Sequence, residues 1–293
     1  MFSIKKIYQP ITLAEALEIY TSNPQLKIIA GGTDVLISLH HGKLDDVELL
    51  SIKNLTELTG INYLTDGTIE IGTMTTFTEI FRNEIINKYI PILAEASVSM
   101  GGPQIRNNAT IGGNICNGAV SADSAPTLFV LNADLRIVNN EGVRIVPITE
   151  FYAGPGKVKL QSGEILTHII IKKADYEGMY GKYIKFSNRK AMDIAMLSVA
   201  TLGKVKNNKF TDLRIALGVS APTPIRCTEA ESFAFNKTII EELIKQISEK
   251  TLLNANPRHS WRGSKVYREH LIQVLTERAL KEIITMSGGK WHE

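Results

Sequence analysis

The sequence predicts an α+β fold divided into two domains. A chain of 293 residues exceeds what a single hydrophobic core usually serves. Its apolar, aromatic and charged fractions of 44%, 7% and 22% are those of an ordinary globular protein. A polar, glycine-bearing stretch at residues 174–181 separates two halves that each contain helix and strand patterns. We therefore expect one domain over residues 1–176 and a second over residues 177–293.

The first predicted helix begins at Thr12, which forms a capping-box pattern with Glu15. Its apolar positions have helical spacing: Leu13, Ala16, Leu17 and Tyr20. Asn23-Pro24 ends the helix because a residue before proline is driven out of helical geometry. A short strand at residues 26–30 then leads into a glycine pair and a second helix that starts at Val35.

The remaining elements of the first domain follow from apolar runs between turn signals. Predicted strands lie at residues 48–52, 68–72, 135–138, 143–146 and 164–172, and a further strand is predicted at residues 183–186, beyond the domain boundary. Predicted helices lie at residues 77–82, 88–99 and 125–131. The segment Asn139-Asn140-Glu141-Gly142 indicates a hairpin between two of the strands.

The second domain combines a strand pair with amphipathic helices. Strands are predicted at residues 198–206 and 213–219, with Asn207-Asn208 as the turn between the first strand and its partner. Helices are predicted at residues 239–247 and 268–286, and Gly288-Gly289 ends the last one. No binding or catalytic motif lies in this half of the sequence.

The glycine pair near the N-terminus has the geometry of an anion site. The strand at residues 26–30 runs directly into Gly31-Gly32-Thr33-Asp34, and a helix follows. Backbone N–H groups exposed between a strand and a helix can donate to a phosphate. An ordinary tight turn explains the same four residues equally well. The pattern is not Gly-x-Gly-x-x-Gly, so it does not predict a Rossmann domain.

A second glycine-rich segment spans residues 98–126. It contains Gly101-Gly102, Gly112-Gly113 and Gly118 among amide and hydroxyl side chains, and it has no helical or alternating period. A connection of this length in a compact domain is usually functional or disordered, and its low charge argues against disorder. We interpret it as a folded loop whose glycines approach a phosphate-bearing cofactor; the alternative is a glycine-rich surface turn.

Several classes of protein are disfavoured by what the sequence lacks. Cys116 and Cys227 are too few and too far apart for a zinc or iron–sulfur site, and the adjacent His40-His41 diverge on a helix, so no metal site is expected. A net charge of +3 without a basic stripe disfavours nucleic acid as a partner. No apolar run is long enough for a membrane span or a signal peptide, so a cytoplasmic location is expected. No catalytic motif is present, which suggests that any chemistry comes from a cofactor.

Both glycine loops also carry a family resemblance. Ala30-Gly31-Gly32-Thr33-Asp34 and Thr110-Ile111-Gly112-Gly113-Asn114 resemble the two FAD-binding loops of the flavoprotein subunit of molybdenum hydroxylases. The run GGPQIRNNATIGGNICNGAVSADSAP is similar to that of bacterial three-subunit xanthine dehydrogenases. So are three further blocks: GPGKVKL (154–160), APTPIRC (221–227) and PRHSWRGSK (257–265). The similarity covers essentially the whole chain.

This resemblance implies a particular architecture and a particular set of cofactor contacts. The first domain would have the fold of vanillyl-alcohol-oxidase (PCMH) flavoproteins, with lobes over about residues 1–56 and 57–176. The second would resemble the C-terminal domain of carbon monoxide dehydrogenase flavoproteins. FAD would lie extended between the domains, with both loops binding its pyrophosphate through backbone N–H groups. The residues implied as FAD-binding are Ile28, Ile29, Ala30, Gly31, Gly32, Thr33, Asp34, Val35, Met100, Thr110, Ile111, Gly112, Gly113, Asn114, Asp123, Leu166 and Lys185.

The resemblance also implies a role in electron transfer. Electrons from a molybdenum centre on one partner subunit would pass through two [2Fe-2S] clusters on another, reach FAD on this chain and reduce NAD. No catalytic acid or base and no resident metal would be needed here. Three hypotheses remain open: the xanthine dehydrogenase flavin subunit, the same subunit of another molybdenum hydroxylase such as nicotinate dehydrogenase, and a flavin- or nucleotide-binding module without redox turnover.

Overall fold

Three sheets organise the chain, and the computed structural model describes residues 3–291 of it. Within that range the sheets contain three, five and four strands, and a two-stranded ribbon accompanies them. Helices pack on each sheet, which gives the α+β class that the sequence predicts. The domain boundary predicted at residue 176 lies between the second and third sheets, and the division itself stays a prediction.

The first sheet is small and parallel. Its elements are β1 (Ile4–Tyr8), α1 (Leu13–Ser22), β2 (Lys27–Ile29), α2 (Val35–His40) and β3 (Val47–Ser51), and its strand order is β1-β3-β2. Thr12 caps α1 by accepting a hydrogen bond from the N–H of Glu15 at 3.2 Å. In a capping box the Glu15 carboxylate would accept from the N–H of the N-cap residue Thr12. Here it accepts instead from the N–H of the preceding residue, Ile11, at 2.9 Å.

The second sheet is antiparallel and has the order β4-β5-β10-β6-β7. Its strands are β4 (Ile61–Tyr63), β5 (Ile69–Gly72), β6 (Asp134–Asn139), β7 (Gly142–Pro147) and β10 (Ile165–Ile171), while β8 (Tyr152–Gly154) and β9 (Lys157–Val158) form the ribbon. The hairpin predicted around residues 139–142 is confirmed, because Asn139 pairs with Gly142. The β-branched strand β10 lies at the centre of the sheet.

The helices around the second sheet correct two predictions. They are α3 (Phe77–Arg82), α4 (Glu84–Tyr89), α5 (Pro91–Ser99), α6 (Pro103–Arg106), α7 (Ile111–Cys116), α8 (Ala125–Val130) and α9 (Ile148–Phe151). The single helix predicted over 88–99 is wrong at its start, because Pro91 excludes helical geometry at Ile90 and opens a new helix. The segment 98–126, predicted as a loop without elements, contains α6 and α7.

The third sheet follows as a meander. Its strands are β11 (Tyr180–Phe186), β12 (Leu197–Lys206), β13 (Lys209–Gly218) and β14 (Ile225–Arg226), and the helices after it are α10 (Thr228–Ala234), α11 (Glu241–Lys250) and α12 (Lys265–Met286). The predicted strand pair and both helices are confirmed. Asn207 and Asn208 have φ angles of 52° and 53°, the left-handed geometry that a tight hairpin turn requires.

The third sheet is buried on both faces. Ala200, Leu202 and Ala216 on one face join the core of the second sheet. Leu197, Val199 and Leu217 on the other face pack in a second core with the helices α10, α11 and α12. The sheet is therefore the middle layer of the molecule, and its first strand β11 contacts α5 of the preceding domain.

The asparagine turn gives the first prediction. Replacing Asn207 with alanine should lower the free energy of unfolding by about 1 kcal/mol, because alanine tolerates the left-handed region less well than asparagine. Asn208→Ala should cost at least twice as much. Its side chain also donates to the carbonyl of Ile239 and accepts from the N–H of Lys290, each at 3.0 Å. Urea denaturation measures both values, and equal costs would contradict the role assigned to the Asn208 amide.

Candidate FAD site

Two glycine loops meet where the first sheet packs on the second. The first loop (residues 30–34) follows β2, and the second loop (residues 108–114) includes the start of α7. Gly31 faces the carbonyl oxygen of Asn108 so closely that a Cβ atom on residue 31 would lie 1.7 Å from that oxygen. Since no side chain fits there, glycine at position 31 is what allows the two loops to touch.

The first loop presents free backbone donors. Within residues 3–291, the N–H groups of Gly31, Gly32 and Thr33 donate to no protein acceptor. Gly32 has a φ of +77°, which turns the chain so that successive N–H groups are exposed. Consecutive free N–H groups in such a turn form a concave site for an anion. The prediction that this loop offers donors to a phosphate is therefore compatible with its geometry.

The second loop differs from the prediction in its hydrogen bonds. The N–H of Gly112 donates to the carbonyl of Thr73 at 2.9 Å, and the N–H of Gly113 donates to Oγ1 of Thr110 at 3.1 Å. The N–H of Asn114 donates to the carbonyl of Thr110 at 3.0 Å. The N-cap of α7 and the second sheet therefore already accept from these three N–H groups, and their binding of a pyrophosphate stays a prediction.

A cleft with an empty volume of about 1110 Å³, its open mouth included, runs between the two loops. Thirteen of the predicted residues line it: Ile28, Ala30, Gly31, Gly32, Thr33, Asp34, Val35, Met100, Thr110, Gly112, Gly113, Asn114 and Leu166. These residues come from four separate stretches of the sequence. The structure thus brings most of the predicted set together around one cavity.

Four predicted residues do not line the cleft. Ile111 is fully buried and belongs to the core of the second sheet. Ile29 ends β2, where it pairs with Ser51. Asp123 and Lys185 form an ion pair of 3.0 Å with each other. A direct contact of these four side chains with a cofactor in the cleft stays a prediction.

The Asp123–Lys185 pair connects the two predicted domains. The Lys185 ammonium on β11 also donates to the carbonyl of Ser99 at 3.1 Å, and the Tyr183 hydroxyl donates to Asp123 at 3.4 Å. Burial raises the pKa of the Asp123 carboxyl, since the loss of water outweighs the attraction of the lysine. The pair therefore fixes the third sheet beside residue 100 at one end of the cleft.

Further lining residues escaped the sequence prediction. They include Tyr20, Leu26, Ile52, Thr73, Cys116, Leu160 and Ile165. Tyr20 and Leu26 belong to apolar patterns that predict core positions equally well, so no local signal separates them from ordinary packing. Burial raises the pKa of the Cys116 thiol to about 12, so this cysteine stays protonated.

Two other kinds of site are absent from residues 3–291. No group of three or more His, Cys, Asp or Glu side chains is placed to hold a metal ion. No helix in that range is long and apolar enough to cross a membrane. The cleft between the glycine loops is consequently the candidate site.

The chemistry of the cleft fits FAD. The free N–H groups of the first loop can meet the charge of a diphosphate without a lysine. Gly113 borders the gap between the loops, where a Cβ atom on residue 113 would lie 3.0 Å from Oγ1 of Thr110 and 3.8 Å from the Cβ of Ala30. Apolar side chains such as Met100 and Leu166 can cover flat rings on either side of that gap.

Comparison with known families agrees with this assignment. Residues 2–173 match the FAD binding domain in molybdopterin dehydrogenase, and residues 182–283 match the CO dehydrogenase flavoprotein C-terminal domain. The chain is 44% identical over 290 residues to the xanthine dehydrogenase FAD-binding subunit of Escherichia coli O157:H7, covering 99% of both chains. It is 32% identical to the glyceraldehyde dehydrogenase medium chain of Sulfolobus acidocaldarius, covering 93% of this chain and 95% of that one.

A solved structure shows the same fold. Carbon monoxide dehydrogenase from Hydrogenophaga pseudoflava, which lacks the Mo-pyranopterin moiety of its cofactor, superposes with a TM-score of 0.92 at 25% identity. The alignment covers 97% of this chain and 99% of that chain. The family match and the shared fold together define an FAD-binding flavoprotein. The chain belongs to the family of FAD-binding flavoprotein subunits of molybdenum hydroxylases, and the predicted two-part fold class is confirmed.

Substitutions at the two glycines of α7 should have different effects, one on FAD binding and the other on the stability of the fold. Gly113→Val should leave the chain folded but reduce its FAD content at least tenfold, because the side chain enters the gap between the loops. Gly112→Ala should instead destabilise the fold by about 2 kcal/mol, since its Cβ would lie 2.4 Å from the Cβ of Thr73. Flavin absorbance and thermal melting measure the two effects.

Gly263→Ala is the matched control for this pair. Its Cβ would meet the flexible Met196 sulfur at 3.1 Å, away from the cleft. We expect both FAD content and melting temperature to stay near the wild-type values. Full FAD content in Gly113→Val would contradict the position of the cofactor between the loops.

The buried ion pair gives a third prediction. Asp123→Asn and Lys185→Met should each lower the free energy of unfolding by about 3 kcal/mol, because each leaves one buried charge without its partner. The double variant should cost less than the sum of the two single variants. A double-mutant cycle in urea measures this coupling. Strictly additive costs would show that the two side chains do not stabilise each other.

Proposed function

We propose that this chain is the FAD subunit of a xanthine dehydrogenase. In this role it receives electrons from [2Fe-2S] clusters on a partner subunit and reduces NAD at the flavin. The observation that carries the proposal is the 44% identity to a xanthine dehydrogenase FAD-binding subunit across 99% of both chains. A match of this extent includes both glycine loops and the third sheet.

Partner subunits are part of the proposal. We infer an iron–sulfur subunit and a molybdenum-cofactor subunit as partners, because the family resemblance implies them. One relative is named a "medium chain", which also suggests a complex of several subunits. The cluster ligands must come from such a partner, because Cys116 and Cys227 are the only cysteines of the sequence. Substrate would then be oxidised on another chain.

The chain's own residues bind and orient the cofactor. The N–H groups of Gly31, Gly32 and Thr33 are free to hold the pyrophosphate, and the close contact of Gly31 with Asn108 fixes that loop. Bound FAD supplies the redox chemistry, because a flavin can accept electrons singly and return them in pairs. The Asp123–Lys185 pair keeps the third sheet beside Met100, where the flavin end of the cofactor would lie.

Other hypotheses are tested by the same complex. The glyceraldehyde dehydrogenase relative shows that this fold occurs in enzymes with different substrates. Another hydroxylase, such as nicotinate dehydrogenase, could therefore use the same flavin subunit. A module without redox turnover is the third possibility.

Turnover of the purified holo-complex gives the fourth prediction. NAD should be reduced when xanthine or hypoxanthine is added, with nicotinate as the comparison substrate. A complex rebuilt with the Gly113→Val chain should lose NAD reduction while an artificial dye still accepts electrons from the other subunits. This difference arises because only the flavin step depends on the cleft between the loops.

The outcomes distinguish the three hypotheses. Turnover with nicotinate but not with purines would assign the chain to another hydroxylase. FAD that neither NADH nor a purine substrate can reduce would favour the non-redox module. Equal loss of dye and NAD reduction would show that the variant damages assembly rather than the flavin step.

A further inference from the structure

The connection between α11 and α12 contains a tight turn with an exposed tryptophan at its tip. We call residues 260–263 the tryptophan turn. The N–H of Ser260 donates to the carbonyl of Gly263 at 3.1 Å, and the N–H of Gly263 donates back to the carbonyl of Ser260 at the same distance. Trp261 is 80% exposed, more than any other large hydrophobic residue of the described chain. The turn therefore holds a large aromatic ring out in the solvent.

The apolar surface continues from the tryptophan turn onto the start of α12. Val266 and Tyr267, in the first turn of that helix, are 75% and 43% exposed. A Cβ atom on Gly263 would lie 3.5 Å from the Tyr267 ring, so the turn and the helix are in contact. The Tyr267 ring in turn packs edge-on against Phe186 of β11, with ring centroids 6.4 Å apart. Contiguous exposed apolar side chains of this kind mark a surface that another molecule covers.

Three arginines accompany this surface without a carboxylate partner. None of the ion pairs within residues 3–291 includes Arg258, Arg262 or Arg268. The carboxylate next to them in the sequence, that of Glu269, pairs instead with Lys265 at 3.8 Å. The surface around the turn is therefore basic, and its positive charge is not neutralised by acidic groups of the described chain.

Arg268 holds the tryptophan turn in place although it is itself buried. Its guanidinium donates to Oγ of Ser260 at 2.9 Å and to the carbonyl of Met196. Arg268 is 1% exposed, and its Nε has no hydrogen-bond partner within residues 3–291. Burial lowers the pKa of this guanidinium, and the neighbouring charges of Arg258 and Arg262 lower it further. A buried cation beside two like charges is costly, and an approaching anion would reduce that cost.

The chemistry of this surface selects the kind of partner. The Arg262 guanidinium lies 4.2 Å from the centre of the Trp261 ring, so the two side chains form one stacked unit. Tryptophan, tyrosine and arginine dominate the energetic centres of protein interfaces, and arginine binds carboxylates through paired hydrogen bonds. A small anion would leave the ring in water, and a net charge of +3 without a basic stripe disfavours nucleic acid. An acidic protein segment would both cover the ring and neutralise the arginines.

We propose that the tryptophan turn and the start of α12 form the docking site for an acidic segment of another subunit of the same complex. The assignment rests on the proposed function, because that function requires partner subunits. Carboxylates of the segment would bind Arg258 and Arg262, and an apolar side chain beside them would cover Trp261 and Val266. The proposed function gives residues 257–265 no other role, since they lie outside the cleft between the glycine loops.

Assembly of the full FAD-loaded chain with the purified iron–sulfur and molybdenum-cofactor subunits tests the proposal. For Trp261→Ala we expect the Kd of assembly to rise about thirtyfold or more, and for Arg262→Glu about a hundredfold. Melting temperature and FAD content should stay at the wild-type values, because both residues are at the tip of a surface turn. Added salt should weaken wild-type assembly more than assembly of Arg262→Glu, because salt screens the proposed ion pairs.

Two variants elsewhere in the second domain are matched controls. Phe235→Ala removes a 64% exposed aromatic side chain after α10. Arg278→Glu reverses an exposed charge on α12, about 15 Å further along the helix than Arg268. Neither control should change the Kd more than twofold. Arg262→Lys keeps the charge but loses the planar guanidinium, so its Kd should lie between those of the wild type and Arg262→Glu.

Each contrary result has a distinct meaning. Wild-type affinity in both Trp261→Ala and Arg262→Glu would overturn the docking site and leave the proposed function standing. Equal losses in the matched controls would also overturn it, because the effect would then not be local to the turn. A chain that dimerises alone through Trp261 would assign the surface to a second copy instead. A wild-type chain that binds FAD but assembles with neither subunit would overturn the proposed function, and this docking site with it.

Discussion

The contact between Gly31 and the carbonyl of Asn108 is the constraint on which the site depends. A Cβ atom at residue 31 would lie 1.7 Å from that oxygen, so the two loops can touch only as bare backbone. Because the first loop continues from β2 and the second precedes α7, this contact sets the distance between the first and second sheets. The width of the cleft follows from that distance. The first loop, with the free N–H groups of Gly31, Gly32 and Thr33, lines that cleft.

A second set of interactions holds the third sheet in place. The carboxylate of Glu95 on α5 accepts from the Lys182 ammonium and from the backbone N–H of Tyr183, each at 3.0 Å. Arg214 on β13 donates to the carbonyl of Val130 and to Asp175 at 3.1 Å. The Glu95 bonds accompany the packing of α5 on β11, and the Arg214 bonds accompany the packing of α8 on β13. Polar contacts thus hold the third sheet against α5 and α8.

Sequence patterns predicted the elements well but could not assign individual hydrogen bonds. The spacing of apolar residues along the sequence was enough to predict β10 and α12, because each element has one dominant buried face. The bond from the N–H of Gly113 to Oγ1 of Thr110, the N-cap three residues earlier, is one that the glycine pattern alone did not indicate. Lys185 and Asp123 lie 62 residues apart, so their pairing requires the packed domains. Tyr20 has the same apolar spacing as core residues, and only the packed structure shows its ring at a cavity.

Backbone N–H groups and side chains have different roles in this site, and the difference explains why the sequence contains no catalytic motif. A diphosphate can be bound by peptide N–H groups alone, provided that glycine brings the backbone close enough. The side chains around it are then free to be apolar, as Leu26, Ile52 and Leu166 are. Such walls select for ring shape rather than for charge, and they leave the reactivity to the bound flavin. A chain built this way needs only correct spacing of its three sheets, and the glycine contact and the Asp123–Lys185 pair provide that spacing.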